Sequence, residues 1–120
     1  MRLLWWLAVV SAVVVWPACS CVPSQSSCDG RPHGHPRCND LLTNRSNQFA
    51  DVLETYCKGD DGVFSTSLCN HTGALGGCLC EGCENGRAVT WLFADADAGL
   101  NTTADVMSLC GDAGQPFQSP

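Results

Sequence analysis

Ten cysteines in 120 residues constrain this chain more than any other feature. Cysteine at that density in so short a chain marks a disulfide scaffold, in which covalent loops supply what a small core cannot. The length allows one domain. Each bridge is worth about 2–4 kcal/mol through restriction of the unfolded chain. Four or five of them rival the whole net stability of a small domain. All ten are therefore assigned to bridges: Cys19, Cys21, Cys28, Cys38, Cys57, Cys69, Cys78, Cys80, Cys83 and Cys110. Their pairing is not deducible from spacing, since so many connectivities are possible.

The N-terminus accounts for much of the apolar content. Arg2 is followed by an unbroken apolar and small-residue run from Leu3 to Trp16. Such a run spans roughly 21 Å as a helix, short of the roughly 30 Å hydrocarbon core, and fits the h-region of a secretory signal peptide. Residues 1–18 are read as that signal. A cut after Ala18 keeps ten cysteines; a cut after Ser20 has better small residues at −1 and −3 but leaves an odd number. The expected location is secreted and extracellular, with no membrane attachment after signal removal. Three sequons agree with that route: Asn44-Arg45-Ser46, Asn70-His71-Thr72 and Asn101-Thr102-Thr103.

Loss of Arg2 leaves five bases against twelve acids. Such a chain is a poor match for nucleic acid, whose binding requires phosphate neutralisation. Residues 19–38 are rich in Cys, Pro, Ser and Gly and read as a loop-rich N-terminal arm, with residues 39–111 as the stapled core and 112–120 as a flexible polar tail. Phe49, Val52, Leu53, Tyr56 and Cys57 recur at helical spacing, which predicts a main amphipathic helix over about 46–58, capped by Ser46 or Asn47 and ended by Gly59. Leu41 and Leu42 extend it backward or staple it. Cys57 lies on its apolar face, positioned to bolt the helix to the rest.

Asp60-Asp61-Gly62 signals a turn, and Val63 to Leu68 reads as a short strand or a loop. Residues 72–86 favour no regular structure. Val89 to Phe93 is the best strand candidate. Thr102 with Asp105 has capping-box spacing and starts a short C-terminal helix over about 103–110. The expected fold is thus a small disulfide-rich domain of α-plus-irregular type, with at most one short strand near 89–93.

No catalytic, cofactor or metal site is assigned. Cys78-x-Cys80-x-x-Cys83 has spacing that zinc uses in the cytosol, but in a secreted chain it reads as disulfide framework. Cys80 and Cys83 lack the βαβ surroundings of a redox pair. His33-Gly34-His35 between Pro32 and Pro36 offers two imidazoles to copper or zinc; the preferred reading is an exposed Pro/Gly loop. Asp95-Ala96-Asp97-Ala98-Gly99 has alternating carboxylates, yet Gly99 and Val106 break the EF-hand pattern. His71 is the sole histidine outside the arm, and no lytic motif accompanies it, so the chain is not read as an enzyme.

Cys19-Ser20-Cys21-Val22-Pro23 resembles the mature start of the tissue inhibitors of metalloproteinases. That resemblance implies that Cys19 chelates a protease zinc through its α-amine and carbonyl, with Val22-Pro23 lining the contact edge. It covers five residues. The chain departs from the family in the early position of Cys28, in lacking the following histidine-proline-glutamine, and in showing no long barrel strand. The function expected from the whole sequence is extracellular binding of a protein or receptor, as a ligand, effector or receptor-blocking protein. An extracellular protease inhibitor and a structural matrix or cell-wall component are the alternatives.

Overall fold

A computed structural model describes residues 24–43, 48–82 and 86–120. The signal segment 1–18, both candidate cuts, and residues 19–23, 44–47 and 83–85 lie outside that description. Six antiparallel strands form one sheet: β1 (Ser24–Asp29), β2 (Arg37–Thr43), β3 (Val63–Ser65), β4 (Gly76–Glu81), β5 (Gly86–Leu92) and β6 (Phe117–Gln118), in the spatial order β3-β1-β2-β5-β4-β6. Two helices accompany it, α1 (Gln48–Gly59) and α2 (Thr103–Asp112).

This corrects the helix-led expectation. The domain is small and disulfide-rich but built on a sheet. The arm contains β1, Leu41 and Leu42 belong to β2 rather than to a helix, the glycine-rich stretch contains β4, and the polar tail contributes β6. The helices themselves fall close to their expected places. Residues directly opposite across an antiparallel ladder share a face. One row across the sheet therefore reads Phe64, Cys28, Asn39, Thr90, Cys78, Phe117. The neighbouring row, on the other face, reads Val63, Asp29, Cys38, Trp91, Gly77, Gln118.

Each face is covered by elements tied through a disulfide. On the first face, Cys28 binds Cys57 of α1 and Cys78 binds Cys110 of α2, so both helices are bolted to one side. Alpha-helix α2 packs Val106 and Cys110 onto Cys78 and Leu92, with Leu75, Leu100 and Phe117 around them. Its start is the expected capping box: Thr102 Oγ1 accepts from Asp105 N at 3.3 Å, and Asp105 Oδ2 accepts from Thr102 N at 2.8 Å. On the second face, the loop 66–75 crosses the sheet and Cys69 binds Cys38.

That strap is held by a buried carboxylate. Asp40, 6% exposed, accepts Trp91 Nε1–H at 2.8 Å and the Cys69 amide at 2.6 Å. Ser27 Oγ donates to the Ser67 carbonyl at 2.7 Å. The His71 ring stacks on Trp91, with centroids 4.2 Å apart and planes 11° from parallel. Gly77 lets β4 approach: a Cβ there would lie 2.9 Å from Trp91 Cε3. Alpha-helix α1 presents Cys57 to the core as expected, whereas Tyr56 is 70% exposed and not part of a buried stripe. The side chains of Phe49, Val52 and Leu53 fall outside the description.

Candidate functional site

Two loops meet at the α1 end of the sheet. The first joins β1 to β2 through a 3-10 turn (Arg31–His33), begun by Pro32 and closed by Gly34 in the left-handed region at φ 85°. Its backbone is fixed by Gly30 N donating to Arg37 O, and by His33 N and His35 N both donating to Gly30 O. A Cβ on Gly30 would stand 2.8 Å from His35 Cβ, so glycine is needed where the two ends of the loop touch.

The second loop is the turn Asp60-Asp61-Gly62 that ends α1 and feeds β3, as the sequence predicts. Asp60 N donates to Tyr56 O, Asp61 N to Lys58 O and Gly62 N to Cys57 O. Asp61 takes φ 58°, a left-handed conformation that asparagine and aspartate tolerate better than most residues. Gly62 lies against the Cys28–Cys57 bridge, where a Cβ would meet Cys28 Sγ at 2.5 Å. The disulfide thus clamps the two loops together.

Between them lies a cleft lined by Cys28, Gly30, His35, Arg37, Asn39, Asp60 and Gly62, with a volume of about 20 Å³. That holds about one water. Across its rim, Asp61 Oδ1 lies 2.8 Å from His33 Nδ1 and Asp61 Oδ2 lies 3.7 Å from His35 Nε2. Beside them Arg31 makes a two-pronged contact to Asp29, at 2.9 Å through Nε and 2.7 Å through its terminal nitrogen. That hydrogen-bonded guanidinium holds the Asp29 carboxyl below its ordinary value, against the opposing effect of burial, and Asp29 raises Arg31 in turn. Arg31 also lies over the Phe93 ring at 4.3 Å.

The other residues singled out in the sequence are dispersed. Six of the ten cysteines form the bridges Cys28–Cys57, Cys38–Cys69 and Cys78–Cys110. Cys80 is also disulfide-bonded, and Cys19, Cys21 and Cys83 lie outside the described residues. The Cys78 partner on α2 settles that sulfur as framework. Asn70 and Asn101 are exposed; Asn44 lies outside the description. The Asp95 carboxylate is occupied by the amides of Asp97 and Ala98, at 3.2 and 3.3 Å, so the alternating acids form a turn. Asp105 accepts from the Asn101 amide and from Thr102, contacts that hold its carboxyl below the ordinary value.

Sequence reasoning found the histidine pair but not its carboxylate partner. Asp61 was legible only as a turn residue, because its approach to the histidines depends on the Cys28–Cys57 pairing. No protein-family model, curated protein or solved structure matches the chain.

Proposed function

We propose that this protein is a secreted, N-glycosylated binding protein that acts outside the cell, as a ligand, effector or receptor-blocking molecule. The observation that supports it best is the bridge arrangement. Three disulfides tie α1, α2 and the 66–75 strap separately to one sheet. Such covalent stapling suits a small domain in an oxidising compartment. It also leaves loops displayed on a rigid support, the arrangement from which surface recognition is usually built. Among the described residues no helix is long and apolar enough to cross a membrane.

Expression through a eukaryotic secretory pathway tests the reading. Secreted material should lack residues 1–18, and N-glycosidase should lower its mass in steps matching one to three of Asn44, Asn70 and Asn101. Retention of the N-terminus, or no glycosidase shift, would overturn the proposed route. Affinity capture with the tagged, secreted chain then identifies the extracellular partner.

A further inference from the structure

We propose that the Cys28–Cys57 bridge is a thiol-exchange site, at which Cys28 takes up a low-molecular-weight thiol as a mixed disulfide and α1 is released from the sheet. The three described bridges differ in how an attacking sulfur can reach them. Cys38 and Cys69 are 0% and 8% exposed, and Cys78 and Cys110 are 6% and 0%, so both of those bridges are closed to solvent. Cys28 is half-buried and lines the cleft between the two loops, while its partner Cys57 is buried on α1. Gly62 lies beside both sulfurs with no side chain to cover them: a Cβ there would stand 2.5 Å from Cys28 Sγ and 2.8 Å from Cys57 Sγ. Exchange depends on which sulfur an incoming thiol can reach, and here that sulfur is Cys28.

The attacking species is a thiolate, so the charge around the cleft matters. Arg37 and His35 line it on the hairpin side and Asp60 on the helix side. His35 faces Asp61, whereas Arg37 is exposed and makes no ion pair among the described residues, so its guanidinium can face the incoming charge. The thiolate sulfur bonds to Cys28 Sγ as the Cys28–Cys57 bond breaks. The electron pair leaves on Cys57 Sγ, which takes a proton from water. The incoming sulfur is oxidised, Cys57 is reduced, and return attack by Cys57 reverses the step. For α1 the bridge is the anchor: among its described side chains only Cys57 is buried, and a helix of 12 residues is marginal alone in water. The strap and α2 keep their own bridges to the sheet and stay in place.

Native, unreduced secreted protein would be treated with reduced glutathione, blocked with iodoacetamide at intervals and mapped by mass spectrometry. Within the three described bridges, Cys28 should carry glutathione and Cys57 the alkyl group before Cys38, Cys69, Cys78 or Cys110 is modified. Hydrogen exchange should then rise in α1 and stay slow in β2, β5 and α2. Arg37→Glu, which reverses the charge at the cleft, should slow the modification of Cys28 several-fold. The Cys38–Cys69 and Cys78–Cys110 rates should stay as they were, which verifies the fold of the variant. Modification of Cys38, Cys69, Cys78 or Cys110 as fast or sooner, glutathione on Cys57 instead of Cys28, unaltered protection of α1, or an undiminished rate in Arg37→Glu would overturn the proposal.

Discussion

Among the described residues, aspartate stands beside tryptophan at the strap and beside histidine at the rim, and the two places differ in what surrounds them. At the strap, Asp40 is buried and both carboxylate oxygens have donors, from Trp91 and the Cys69 amide. At the rim, Asp61 and its two histidines are about half exposed, on loops held by backbone hydrogen bonds and the Cys28–Cys57 bridge. A satisfied buried carboxylate is a structural anchor, because losing it strands its donors. Exposed charged groups facing one another contribute little to folding.

The largest effect should come from the strap. The three bridges close loops of similar length, with separations of 29, 31 and 32 residues. Chain entropy alone therefore assigns each about 3.7 kcal/mol. Differences among the paired serine variants report what each bridge anchors. Cys38→Ser with Cys69→Ser should lower thermal stability most, because those sulfurs pack on Trp91 in the core. Cys28→Ser with Cys57→Ser, at the rim, should lower it least; the reverse order by calorimetry would break the comparison.

Asp40→Ala comes next. It leaves the Trp91 indole N–H and the Cys69 amide without partners, at about 1–3 kcal/mol each, so denaturant unfolding should show about 2–6 kcal/mol lost. Trp91 fluorescence follows that transition directly.

A smaller effect belongs to Asp29 and Arg31. The Asp29 carboxyl is held below its unfolded value by the Arg31 hydrogen bond. Its contribution is present above the unfolded carboxylate value of about 3.9 and fades as pH falls through the lower folded value. Melting curves of Arg31→Ala should lie below the wild type by up to about 1 kcal/mol near neutral pH and converge with it in acid. Asp61→Asn, at the exposed rim, should change stability by no more than about 0.5 kcal/mol. A large loss there would mean that the rim is structural after all.

The same contrast explains what the sequence disclosed. Helix α2 was legible because Thr102 and Asp105 carry a local signature, and the α1 turn because Asp60-Asp61-Gly62 does. Strands β1, β2 and β4 were not, since strand reading rests on apolar alternation. Here the polar Ser26, Ser27 and Asp40 are buried in β1 and β2, and Gly76 and Gly77 stand in β4 where bulky side chains are expected. Those strands are selected by cross-strand partners and bridges, which are long-range facts. Val89 to Phe93 signals a strand around Trp91, but the polar partner Asp40 lies 51 positions away and leaves no local trace in the sequence.

Peptide mapping of the secreted, unreduced protein tests this account most directly. Digestion followed by mass spectrometry should recover cross-linked peptides joining Cys28 to Cys57, Cys38 to Cys69 and Cys78 to Cys110. A link from Cys69 to any cysteine other than Cys38 would remove the strap from the Asp40 face and contradict the account.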